Sequence, residues 1–321
     1  MRHFFVFVFF SVLVTGLVFL GYFLFIPQNS DKSSYLSPIP GFLTLTGNKQ
    51  VTLLDFWTPF IEKIQARTDT LPDYTAKSVL IYDLTTNKTL FEYNSTARMP
   101  MASLTKIMTA IVALENKRDD NTYIVSARAL VGEDSMGLSP GEELSQEELL
   151  YGLMLPSGND AAEVLASNYP AGRTMFIQAM NDKAKALGLV DTHFSNPSGL
   201  QGDGMQYTTA SDLLVITRYA LENFPLFTKV VSTYEYDIPA TDQHKAYQLF
   251  NETNLLTSYP GVKGVKTGFT PEAGLCLVTL LDYQSHRIIG IILNSENRRE
   301  EMKNFLDYSL KKLDIIPPPH Q

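Results

Sequence analysis

The stretch MPMASLTKIMTAIVALEN, residues 99 to 116, is an apolar helix with an amine near its start. Isoleucine, methionine, valine, leucine and alanine dominate the run from Ile107 to Leu114 that follows Lys106. A helix apolar all round is normally buried in a core, and a buried lysine is costly without a partner or a task. Lys106 either snorkels from the helix end into solvent or shares a face with Ser103, because positions i and i+3 are neighbours on a helix. In the second case the hydroxyl and the amine meet where the helix start offers backbone N–H groups and a positive dipole end. A serine hydroxyl is a poor nucleophile until a base takes its proton. A lysine kept neutral by burial and nearby positive charge is such a base. Alone, this S-x-x-K pattern is a weak signal, since average composition supplies roughly one per chain of this length.

Before this helix, SVLIYDLTTNKTLFEYN reads as two β-rich runs around a polar turn at Thr85 to Lys88, a hairpin. After it come helical segments at Ser145 to Met154 and Asn159 to Asn168. Ser145 and Glu148 make a capping box for the first of these. RTMFIQAMNDKAKALGL and TASDLLVITRYALEN are further amphipathic helices. Strands return in AGLCLVTLL and RIIGIILNS, and EEMKNFLDYSLKKL closes the pattern as a helix with lysines suited to its C-terminal dipole. Strands, a helical block, then strands and a helix predict an α+β fold, with one sheet made from both chain ends and the helices packed on it.

The chain has 321 residues, 45% hydrophobic and 19% charged, which fits a globular protein. Its net charge of -8 argues against nucleic-acid binding, which needs a basic face. The single cysteine, Cys276, excludes an intrachain disulfide framework and any CxxC metal or redox site. Cys276 sits in an apolar run and reads as a small buried hydrophobe. At the N-terminus, Arg2 and His3 precede about 23 uncharged residues, Phe4 to Ile26, long enough to cross a hydrocarbon core of roughly 30 Å. No small-residue cleavage site follows, and the flanking Arg2 favours a cytoplasmic N-terminus. The expected organisation is a signal anchor over 1–27 and an extracytoplasmic spacer over 28–76. A catalytic domain over 77–315 and a short tail over 316–321 follow. Within the spacer, Trp57 reads as a core-packing residue or an interfacial anchor.

Two more motifs follow in order. Ser157-Gly158-Asn159 lies between two helices, where either polar residue also reads as a simple N-cap. Lys266-Thr267-Gly268 heads a strand run, where glycine permits close approach of backbone to a ligand. The order S-x-x-K, S-x-N, K-T-G resembles the signature of penicillin-binding proteins and class A β-lactamases. Within that superfamily the chain resembles most closely the low-molecular-mass D-alanyl-D-alanine carboxypeptidases. The blocks ASLTKIMTA, SMGLSPGEELSQEELLYGLMLPSGNDAA, THFSNPSGL and GVKGVKTGFTPEAGLCLV carry the likeness over residues 77 to about 313.

The resemblance implies a DD-peptidase/β-lactamase-like α+β fold, an antiparallel sheet made from both chain ends and packed by helices with an all-helical subdomain, and serine-type D-Ala-D-Ala carboxypeptidase activity on peptidoglycan stem peptides. It implies that Ser103 attacks the penultimate D-alanine carbonyl with Lys106 as base. Ser157 would relay a proton to the leaving amine, and Asn159 would hold the substrate amide and the lysine. Lys266 and Thr267 would receive the terminal carboxylate beside Gly268, and the backbone N–H groups of Ser103 and Phe269 would form the oxyanion hole. β-Lactams would act as covalent inhibitors, and no metal or organic cofactor is implied. Gly158 stands where the β-lactamase signature has aspartate, which suits the carboxypeptidase branch. Many relatives carry a C-terminal amphipathic anchor, so the anchor is expected at the N-terminus instead, holding the enzyme at the cytoplasmic membrane through residues 4–26. A DD-endopeptidase is the nearest alternative reading, followed by a β-lactamase and a non-catalytic wall-binding module. Against a β-lactamase, residues 189 to 203 offer Asp191 and Asp203 but no glutamate, and Glu163 is expected to face away from the site. The acidic run Glu142 to Glu148 reads as a solvated helix start.

Overall fold

The computed structural model describes residues 57–59, 71–202 and 204–320. Strands β1 (Ser78–Asp83) and β2 (Lys88–Tyr93) form the expected hairpin, and Asn87 takes the left-handed φ of 53° that its turn needs. A 3-10 turn, Ala102–Leu104, leads into α1 (Thr105–Glu115). Short strands β3 (Tyr123–Ile124) and β4 (Glu143–Leu144) pair with each other. Then come α2 (Gln146–Met154), α3 (Asn159–Ser167), α4 (Gly172–Ala186), α5 (Ala210–Asn223) and α6 (Pro225–Val231). A second small hairpin, β5 (Glu235–Ile238) and β6 (Tyr247–Phe250), and the single turn α7 (Leu255–Ser258) precede the C-terminal block. That block is β7 (Val262–Thr270), β8 (Gly274–Tyr283), β9 (His286–Ser295) and α8 (Arg298–Lys312).

The main sheet runs β2-β1-β9-β8-β7, every neighbouring pair antiparallel, so the first strand lies between the second and the last. Period-two alternation splits its side chains between two cores. Val79 and Ile81 of β1, Leu277 and Leu281 of β8, and Ile288 and Ile292 of β9 pack with Met302, Phe305, Leu306 and Leu310 of α8. On the other face, Leu80, Tyr82, Val278, Ile289 and Ile291 pack with the helical block, including Ile107, Met108 and Ile111 of α1. Gly290 is what lets α8 come close: a Cβ there would stand 2.5 Å from Met302 Sδ. The Ser145–Glu148 capping box at the start of α2 is present in both directions.

Packing begins before Lys77 and continues past Ile315. Thr75 donates from its N–H and hydroxyl to Glu301 Oε1 at 2.8 and 2.6 Å, and Tyr74 lies against Phe91, Tyr93 and Phe305. Trp57 meets Tyr82 edge-on at 5.6 Å with the Arg218 guanidinium over its ring, so it packs on the domain rather than serving as a free anchor. At the other end, His320 stacks on Tyr259 and contacts Asp307 at 3.1 Å. The acidic run is not simply solvated. Glu142 accepts from Ser139 N and Lys245 N and from the Tyr247 hydroxyl, while Glu148 is spent on the capping box. Among the described residues no helix is long and apolar enough to cross a membrane. The segment Phe4 to Ile26 lies outside the described residues.

Candidate active site

Ser103 stands in the 3-10 turn where α1 begins, and Lys106 follows one turn later, wholly buried. The i, i+3 spacing does what the sequence predicts: Lys106 Nζ lies 2.9 Å from Ser103 Oγ. The same nitrogen donates to Asn159 Oδ1 at 2.7 Å and to the Ser198 carbonyl at 2.7 Å. Both of those oxygens only accept. A neutral amine has two N–H groups and one lone pair, so spending both hydrogens there leaves the lone pair for the Ser103 hydroxyl, which can donate. Burial holds the Lys106 pKa well below the ordinary lysine value, and the positive charge of Lys266 pushes it further down. The snorkelling alternative is thereby excluded.

Two strained or glycine-dependent positions fix the serine. Ala102, the residue before it, has φ of 48°, a left-handed backbone that costs a non-glycine residue of order 1–3 kcal/mol and turns the chain sharply. Gly199, with φ of 93°, presses directly on that turn, and a Cβ there would stand 2.1 Å from the Ala102 carbonyl oxygen. The loop carrying Gly199 is held by Asn196, whose Oδ1 accepts from the N–H groups of Ser198 and Gly199. Thr109 of α1 ties the same loop down by donating to the Pro197 carbonyl at 2.6 Å.

Ser157 is buried on the turn between α2 and α3, with a left-handed φ of 61°. Asn159 begins α3. Its N–H donates to the Asp134 carbonyl and its side-chain N–H to the Gly132 carbonyl, which leaves Oδ1 for Lys106. Lys266-Thr267-Gly268 does not merely head the β8 run. It lies inside a strand of its own, β7, at the edge of the sheet. A Cβ on Gly268 would stand 3.1 Å from Ser103 N, so glycine lets this strand lie against the serine turn. Lys266 is buried and its pKa falls to about 8, chiefly by burial, with a further push from Arg298 and an opposing pull from Glu252. Phe269 is exposed beside it.

Three contributors carry no motif. The Ser198 carbonyl completes the lysine's surroundings from a loop 92 residues away. Arg298, at the start of α8, donates to the Gly268 carbonyl at 2.6 Å and to the Cys276 carbonyl at 3.2 Å, bracing β7. Glu252 Oε2 accepts from the Thr267 hydroxyl at 3.2 Å. Of the acidic candidates weighed against a β-lactamase, Glu163 is paired to Arg173 at 2.7 Å and Asp191 to Arg98 at 2.6 Å. Asp203 lies outside the described residues. Cys276 is buried, and burial pushes its thiol up to about 11.

The fold and this cluster together define a serine DD-peptidase. The structure superposes on the crystal structure of the Streptomyces K15 DD-transpeptidase with a TM-score of 0.71 at 33% identity, covering 76% of this chain and 100% of that one. A family profile described as D-alanyl-D-alanine carboxypeptidase matches residues 65–297, and this chain belongs to that family. Among relatives, D-alanyl-D-alanine carboxypeptidase DacF of Bacillus subtilis is 34% identical over 251 residues, 75% of this chain and 64% of its own length. A D-alanyl-D-alanine endopeptidase of Pseudomonas aeruginosa is 36% identical over 207 residues, 63% of this chain and 65% of its own length. The chain thus spans somewhat under two thirds of the length of these two relatives.

Proposed function

We propose that this protein is a serine-type D-Ala-D-Ala carboxypeptidase that removes the terminal D-alanine from peptidoglycan stem pentapeptides. The observation that carries the reading is the buried Lys106 nitrogen, within hydrogen-bond distance of Ser103 Oγ, Asn159 Oδ1 and the Ser198 carbonyl. Ser103 Oγ attacks the penultimate D-alanine carbonyl while Lys106 takes the hydroxyl proton. The backbone N–H groups of Ser103 and Phe269 stabilise the tetrahedral oxyanion. Ser157 passes a proton to the departing D-alanine amine, and Lys266 and Thr267 hold its carboxylate. Water then cleaves the ester and regenerates Ser103. Incubation with a pentapeptide and with a cross-linked dimer, read by mass spectrometry, tests this. D-Alanine release from the pentapeptide is expected to dominate, and cleavage of the dimer alone would replace the carboxypeptidase reading with an endopeptidase, the activity that the Pseudomonas aeruginosa relative's name states.

β-Lactams enter the same cleft and acylate Ser103, and their leaving group stays tethered. With Glu163 and Asp191 held in ion pairs, neither is free to activate a deacylating water. The penicilloyl ester is therefore expected to outlive the natural acyl-enzyme. Penicillin turnover faster than D-alanine release would make the protein a β-lactamase.

The pH dependence follows from the two lysines. Lys106 acts only when neutral, and burial and the Lys266 charge lower its pKa, so kcat/KM rises on the acid side as Lys106 deprotonates. Lys266 acts only when charged, so kcat/KM falls again as pH rises through about 8. A profile still climbing at pH 10 would remove Lys266 from carboxylate recognition.

Residues 4–26 are proposed to anchor the enzyme in the cytoplasmic membrane with its catalytic domain on the extracytoplasmic side. Their length and freedom from charge support this. Full-length protein is expected to fractionate with membranes, and protein starting near Ser30 to be soluble and active. A mature N-terminus beginning after Ile26 would identify a cleaved signal instead.

A further inference from the structure

Building on the DD-peptidase reading, we propose that Glu252 sets the charge preference of the subsite that holds the leaving residue. It disfavours a free terminal carboxylate and favours a leaving residue that is amidated or carries an ammonium group. Thr267, assigned above to the substrate carboxylate, donates its hydroxyl to Glu252 Oε2 at 3.2 Å. A hydroxyl has a single hydrogen. While that hydrogen points at Glu252, Thr267 offers incoming substrate only lone pairs, which suit an amide N–H or an ammonium; to hold a carboxylate its hydroxyl must first turn away from Glu252.

The placement of Glu252 is built into the fold. Its N–H donates to the Leu155 carbonyl at 3.2 Å, which pins it to the segment leading into Ser157. On one side, Asn251 donates to the Val231 and Thr233 carbonyls and accepts from Thr253 N, so the backbone on both sides of Glu252 is fixed. The glutamate side chain itself is exposed. The charged groups it acts on are Lys266, Lys106 and Arg298; Asp134 also acts on both lysines, and Asp160 on Lys106. Without Glu252 the subsite would present Lys266 and Arg298 with little to offset them. With it, one positive charge is cancelled where the carboxylate must land.

The test compares an N-acetylated tripeptide ending in D-Ala-D-Ala with the same peptide as its C-terminal amide, in wild type, Glu252→Gln and Glu252→Ala. Glu252→Gln keeps an oxygen for Thr267 and removes only the charge; Glu252→Ala also frees the hydroxyl. The acid-to-amide ratio of kcat/KM is expected to rise about tenfold in Glu252→Gln and at least as much in Glu252→Ala. The gap from wild type should narrow at high salt, as for any partly exposed charge. A ratio within twofold of wild type in both variants, with wild type still releasing D-alanine, overturns the proposal and leaves the functional reading standing. A wild type that cleaves neither peptide overturns that reading and the proposal together.

Discussion

Protein carrying Ser103→Ala is expected to form no covalent adduct with penicillin and to lose D-alanine release by roughly 10⁴–10⁶-fold, the range for deletion of an enzyme nucleophile. Alanine suits the buried serine position sterically. The helix start, the Gly199 clamp and the Lys106 contacts to Asn159 and Ser198 do not involve the hydroxyl. The variant should therefore melt close to wild type and still bind penicillin reversibly. Intact mass and peptide mapping settle the matter. A penicilloyl group found on Ser157, or an adduct surviving in Ser103→Ala, would move the nucleophile elsewhere.

Lys106→Arg should be nearly as damaging, with kcat/KM down by about 10²–10⁴-fold, the usual contribution of a positioned general base. Arginine keeps positive charge and reach but cannot give up its proton, so it cannot accept one from Ser103. Because a guanidinium is bulkier than the buried amine it replaces, Lys106→Met serves as the control. It fills the same space with no charge, and it too should be inactive. Its stability carries information of its own. Lys106 is charged when unfolded and pushed towards neutrality when folded, so the unfolded state binds more protons and wild-type stability rises with pH towards 10.5. Lys106→Met lacks that slope. Substantial turnover in either variant would make Lys106 a structural residue.

What could be read from the sequence was local or chemical. The capping box at Ser145, the β1–β2 hairpin and the Ser103–Lys106 pair are interactions over three or four residues, and a one-dimensional pattern contains them whole. The sheet from both chain ends was legible because β-rich, nearly continuous apolar runs bounded by turns flank a helical block with a period near 3.6. The Ser198 carbonyl was not legible, since a backbone oxygen has no letter of its own. Its one trace is the Asn196-to-Leu200 turn, which the sequence places among the blocks of resemblance without saying that it faces the lysine. Lys266-Thr267-Gly268, with Gly264 just before it, reads as the head of a strand run, where glycine permits close approach of backbone to a ligand. The structure makes the same glycines part of a separate edge strand. Glu252 and Arg298 were missed because each acts on β7 through a single long-range contact, with Thr267 and with the Gly268 carbonyl respectively.

The insertion of β1 between β2 and β9 has a bearing on how the enzyme comes into being. A chain made from its N-terminus carries Ser103 and Lys106 early, but β1 has no inner partner until β9 arrives more than 200 residues later in the chain. Contacts of such long separation form late and slowly. Until they form, Lys106 is a solvated lysine of ordinary basicity and Ser103 an ordinary serine, and neither the Lys266 charge nor the Gly268 strand stands beside them. The nucleophile is thus switched on by topological closure. An emerging chain therefore lacks the assembled Ser103–Lys106 pair until the whole domain has closed.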